Sequence, residues 1–134
     1  MATVQVVKQI AKEPPLVKIV KLIQSIATEA GGEFVVAGAK KITLYFKRSN
    51  HVAGQSVFDV DVSGDGDNYL DYNKLITNVA NTNVQQKTRA TNVTLAADGM
   101  AMATIDPDDA IYSILVNVTE TTDGTHEAWA VVEY

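Results

Sequence analysis

The acidic run Asp59-Val60-Asp61-Val62-Ser63-Gly64-Asp65-Gly66-Asp67 holds the densest set of potential ligands in the chain. Counted from Asp61, oxygen-bearing side chains fall at positions 1, 3 and 5 (Asp61, Ser63, Asp65), with glycine at position 6. That is how a calcium loop begins, because a hard cation needs several oxygens brought round one point by a sharp turn. The closing bidentate glutamate is missing: position 12 is Tyr72, and Asp71 falls one place short. The same residues also read as a strand that ends in a tip rich in turn formers, beside an acidic edge. Calcium held by Asp61, Ser63 and Asp65 is the one cofactor reading the sequence offers. A catalytic metal is not expected, since no histidine lies near.

Three further groupings invite chemistry. Glu120 and Glu127 stand on either side of Asp123-Gly124 and would pair across a hairpin closed by that turn. Paired carboxylates are what glycoside hydrolysis uses, but an exposed hairpin tip lacks the cleft and raised pKa which that reaction needs. His51 and His126 each occur in a loop or near a turn, beside Asn50 and Thr125. A histidine paired with serine or aspartate could serve a hydrolase, yet no glycine elbow surrounds any serine, and Ser49 and Ser56 are expected on a loop. A surface or packed histidine is the expected role. Trp129 with Tyr45, Tyr69 and Tyr72 could stack on sugar faces. The hairpin register, however, sets Trp129 against Val118 and assigns it to the core. Phosphate loops and dinucleotide fingerprints are absent.

The elements behind these residues are strands. Ile111 to Tyr134 reads as one long hairpin, with Val118 facing Trp129 and Val116 facing Val131 across the Asp-Gly loop. Ile42/Leu44/Phe46 alternate against Thr43/Tyr45/Lys47, and Phe58, Val60 and Val62 share one face. Strands are also expected at Glu33 to Val36, Lys87 to Leu95 and Met100 to Ile105, and a strand or irregular edge at Tyr69 to Ile76. Thr77 to Gln86 is polar and asparagine-rich, and is expected to form a long loop. This spacing predicts an all-β fold, an antiparallel β-sandwich or jelly roll.

The front of the chain is less regular. Residues 1–15 read as an arm that leaves the domain body or, equally, as an ordinary first strand. Pro14-Pro15 separates them from residues 16–134, the sandwich domain. In residues 16–30, Leu16, Ile19, Val20, Ile23, Ala27 and Ala30 recur at helical spacing. Five β-branched residues in the first eleven of these positions (Val17, Ile19, Val20, Ile23, Ile26) favour a strand, so helix and strand both stand.

At 134 residues the chain is expected to be one domain, able to bury about two-thirds of its unfolded surface. It has no cysteine, which excludes a disulfide framework and a thiolate nucleophile. Neither a signal peptide nor a membrane-spanning apolar run is apparent, so folding in the cytoplasm of the producing cell is expected. The net charge of −5 divides unevenly. Residues 1–48 carry eight Lys/Arg and three Glu, giving 8 − 3 = +5; residues 49–134 carry three and thirteen, giving 3 − 13 = −10. Such a chain can stack head to tail with copies of itself, or simply present a few solvated lysines. No nucleic-acid motif or membrane anchor is present.

From Ala27-Thr28 through Glu33-Phe34-Val35-Val36 and Ile42-Thr43-Leu44-Tyr45-Phe46-Lys47-Arg48, the chain resembles small β-sandwich virion proteins of tailed bacteriophages. Ser49-Asn50-His51, Val62 to Asp67 and Val118 to His126 extend the likeness, which covers residues 20–134. These are capsid decoration (cement) or tail-associated proteins. The resemblance implies a structural, non-enzymatic virion component that forms homo-oligomers, often trimers, and contacts the major capsid protein or another virion protein. The lysine-rich residues 1–18 have no counterpart in it. The competing expectation is a carbohydrate-binding or adhesion module, stabilised by calcium.

Overall fold

The computed structural model describes residues 5–9, 17–25, 29–50, 54–80, 85–120 and 125–134. They form twelve strands: β1 (Gln5–Gln9), β2 (Val17–Ser25), β3 (Glu29–Val35), β4 (Lys41–Ser49), β5 (Ser56–Ser63), β6 (Tyr69–Asp71), β7 (Leu75–Ala80), β8 (Gln85–Ala90), β9 (Val93–Leu95), β10 (Gly99–Thr104), β11 (Ser113–Glu120) and β12 (Thr125–Glu133). No helix occurs among the described residues. A seven-stranded sheet runs β1-β2-β12-β4-β10-β7-β8 and faces a second sheet ordered β3-β11-β5-β6, with β9 also on β5. The strand pairs among the described residues are antiparallel. The fold is the expected antiparallel β-sandwich.

Alternation sets the two faces. In β4, Ile42, Leu44, Phe46 and Arg48 are buried while their neighbours are not, and in β5 Phe58, Val60 and Val62 turn inward. The rings of Phe46 and Phe58 meet between the sheets at 4.9 Å. Burying such side chains contributes roughly 1.5–3 kcal/mol each, so this pairing of faces dominates the choice of fold.

The expected Asp123-Gly124 hairpin is not formed. β11 lies between β3 and β5 in one sheet, whereas β12 lies between β2 and β4 in the other. Residues 121–124 are outside the described residues; the strands they join belong to opposite layers. Each strand is central, with both edges paired, and each gains more by burying a full face than a local turn preference can offer. The inward row of β12 is His126, Ala128, Ala130 and Val132, not Trp129 and Val131. Ala128 and Ala130 sit opposite Phe46 and Leu44, where small residues leave room for large ones.

Residues 17–25 are a strand. The helical spacing read there has a local cause: opposite Ala128/Trp129 the register slips, and Leu22 is the extra residue. Val20, Leu22 and Ile23 are all buried, which breaks the two-residue period. β1 pairs with β2 of the same chain, so Gln5–Gln9 acts as an edge strand, while residues 10–16, including Pro14-Pro15, lie outside the described residues.

Two other expectations are corrected. Most of the predicted Thr77–Gln86 loop belongs to a strand pair, β7 with β8, registered from Leu75↔Ala90 to Ala80↔Gln85. Its backbone ladder leaves no mark in side-chain hydrophobicity. The strand expected over Lys87–Leu95 divides at Thr91-Asn92, with β8 in one sheet and β9 in the other.

Buried polar groups close one end of the sandwich. The guanidinium of Arg48 is 1% exposed and donates to the carbonyls of Gly54 (3.1 Å) and Leu95 (3.0 Å). These bonds offset part of the cost of burying the guanidinium, and they tie β4 to β9.

Candidate functional site

The outer face of the seven-stranded sheet carries the most chemically varied group of side chains. Across β2, β12, β4 and β10 the register aligns Lys21, Trp129, Tyr45 and Met102 in one row. Trp129 and Tyr45 are cross-strand partners with ring centroids 5.6 Å apart and planes 9° from parallel. At that separation the rings overlap in an offset stack. Tyr45 therefore braces one face of the indole.

On the other side of Trp129 a groove of about 290 Å³ runs between β2 and β12, lined by Ile19, Lys21, Glu127 and Trp129. The slip at Leu22 brings Lys21 opposite Trp129, as bulges commonly re-aim a side chain. Glu127 accepts from Lys21 at 3.3 Å and lies 3.9 Å from Lys47 Nζ. One carboxylate thus stands between two ammonium groups, all three partly exposed. Stacking against the indole, aliphatic contact with Ile19 and charged hydrogen bonding are available within one groove.

This arrangement corrects two expectations. Trp129 is half-buried on the outside of the sandwich, not in the core. Glu127 does not face Glu120, because their strands lie in different sheets; its partners are lysines. Outward placement was signalled by parity, since Trp129 shares alternation with Glu127 and Glu133. Lys21, Ile19 and Lys47 were missed as site residues. Nothing local links β2 to a strand a hundred residues later.

The remaining candidates fall elsewhere. Ser63 is buried, donates to Asp65 Oδ1 at 2.9 Å, and accepts from the amides of Asp65 (3.2 Å) and Gly66 (2.8 Å). Asp65 also accepts from the amides of Asp67 (2.9 Å) and Asn68 (2.8 Å), and from Asn68 Nδ2 at 2.7 Å. The Asn68 bonds, then those from Asp67 and Ser63, hold its carboxyl far below the usual range. Gly66 closes this loop at φ +87°, with the Tyr112 ring 3.0 Å from where a Cβ would stand.

Asp61 remains on β5, opposite Asp71 and 3.5 Å from Asn117 Nδ2. Burial, followed by the charges of Asp71 and Asp59, raises its pKa; burial and Asp71 do the same for Asp59. The structure thus joins Ser63 to Asp65 through the loop's own hydrogen bonds, and places Asp61 beside other carboxylates. Among the described residues, no group of three or more histidine or acidic side chains is arranged to hold a metal ion.

His126 is fully buried, with Nε2 2.6 Å from Ser56 Oγ and its ring edge-on to Phe58. This is the spacing of a nucleophile and its base, but both residues are 0% exposed and neither reaches a substrate in this conformation. His51 lies outside the described residues. Tyr69 bonds Ser113 Oγ at 2.7 Å. The Tyr72 hydroxyl donates to Asp109 at 2.8 Å and accepts from the amide of Asp106 at 2.9 Å. Burial, with the Asp109 bond second, pushes Tyr72 up to about 12. Of the four aromatic candidates, only Tyr45 and Trp129 stack together.

The sandwich has a solved counterpart. The crystal structure of SPBc2 prophage-derived protein YomS superposes with a TM-score of 0.63 at 13% identity, covering 93% of this chain and 99% of that one. At that identity the likeness is one of fold. No family model matches the chain, and no curated protein matches it.

Proposed function

We propose that this chain is a non-enzymatic structural protein of a bacteriophage virion, and within that class a capsid decoration subunit. Its fold likeness to a prophage-derived protein, over nearly the full length of both chains, supports the phage assignment. The structural role rests on large apolar side chains left open on both sheets. Met100 and Met102 are 56% and 43% exposed on β10, whereas Val35 and Leu70 of the other sheet are 49% and 64% exposed. Apolar groups on two separate layers let one copy touch more than one neighbour, as a repeating assembly requires. Contacts that are weak singly become strong when repeated over a lattice. The enclosure of Ser56 and His126 supports the non-enzymatic part of the reading.

The purified chain is expected to self-associate, with a trimer as the first assembly to look for, and to be retained on shells of its phage assembled without it. Sedimentation of the chain over a range of concentrations, alone and with such shells, tests this. A monomer at every concentration that leaves the shells bare would overturn the reading.

A further inference from the structure

We propose that the groove beside Trp129 binds a pyranose sugar that carries a carboxylate, such as a uronic acid. The volume of about 290 Å³ lies at the small end of ligand sites and suits one or two sugar rings. A pyranose is amphipathic: its axial C–H groups form an apolar face, and its hydroxyls form a polar rim. The groove presents the matching halves, an indole braced by Tyr45 and the aliphatic Ile19 on one side, Lys21 and Glu127 on the other. Because Tyr45 and the sheet fix the indole, little side-chain freedom remains to be lost on binding.

Charge selects the kind of sugar. Among the described residues, Lys21 and Lys47 share the carboxylate of Glu127, so this group carries one more positive than negative charge beside the groove. A second carboxylate from the ligand would complete the alternation of signs. A second copy of this chain is a poorer occupant, since covering the face with protein would strip water from the Lys21–Glu127–Lys47 group, at a desolvation cost that often exceeds the gain. A small hydroxylated ligand leaves these groups hydrated. The site is independent of the virion role, because a sugar held on one sheet face needs no particular assembly.

Trp129 is the chain's one tryptophan, so its emission reports on this groove alone. Titration with a galacturonic acid trimer is expected to give a saturable change with a Kd in about the millimolar range. The neutral galactose trimer should bind more weakly, and added salt should reduce only the preference for the acid. Lys21→Gln should weaken acid binding about two- to fivefold more than it weakens binding of the neutral sugar, which loses only a hydroxyl partner. Lys47→Gln gives a second reading of the same charge if the first variant folds poorly. No saturable response to either sugar would overturn the site, and equal affinity for both would overturn the role of the carboxylate. Emission that shifts with protein concentration alone, and then ignores sugar, would assign the face to a second copy.

Discussion

Single carboxylates in this domain do opposite work according to what they face. Asp65, Asp106 and Asp109 are lowered by hydrogen bonds, from Asn68, from the Asp108 amide and from Lys74 respectively as the leading cause. Each binds protons less readily folded than unfolded, so its contribution is present above the unfolded pKa and fades as pH falls. Asp59 and Asp61 are raised, chiefly by burial and then by Asp71. Their sign is reversed: the folded state holds the proton better, so they favour folding in acid and oppose it as pH rises through the raised value. Asp61→Asn should therefore stabilise the protein near neutrality by about 0.2–1 kcal/mol, the cost of like charges placed directly across strands. The gain should shrink as pH falls through the raised value, where the carboxyl takes up its proton. Urea denaturation at several pH values measures this, and a gain that is constant with pH would contradict it. The turn chemistry of Ser63 to Asn68 was legible from residue type, since serine, aspartate and glycine in that order make local bonds. The enclosure of His126 was not, because burial at a strand end depends on which layer the strand joins.

For the strands, alternation was enough to find β4 and β5 and to assign their inward faces. Alternation in β12 was equally clear, but it has two solutions, and a local turn signal selected the wrong one. Two alanines, one histidine and Val132 make a modest inward row beside Trp129 and Val131, so residue-by-residue hydrophobicity favours the other face. The sandwich reverses that preference because Phe46 and Phe58 already fill the interior, and a small row opposite them packs where an indole would not fit. The groove itself, built from β2 and β12, was invisible in sequence because its two walls are far apart in the chain. The placement of Trp129 has a direct consequence for stability. Trp129→Ala should cost about 1–2 kcal/mol, from a lost aromatic stack and partial burial. Phe46→Ala should cost about 3–5 kcal/mol, as a core aromatic does. Equal losses in chemical denaturation would return Trp129 to the interior.

For the molecule as a whole, the ends of the chain have unequal weight. β12 sits in the middle of the seven-stranded sheet, bonded on both sides and supplying Ala128, Ala130 and Val132 to the interior. Among the described residues, β1 occupies the outermost position of the same sheet and pairs along one side only. Truncation before Thr125 should therefore abolish cooperative unfolding, since it removes one wall of the core and leaves β2 and β4 without their shared partner. Deletion of residues 1–9 should leave a cooperative transition, lowered by only a few degrees. It would also expose the edge of β2, a ladder of unpaired amides and carbonyls open to another chain. The shortened protein should consequently self-associate more strongly than the full chain if its first strand serves to cover that edge. It should lose association if the strand instead reaches between copies. Calorimetry and sedimentation of the deletion variant separate these outcomes, and collapse of the fold itself would show that the edge strand is integral to the sandwich.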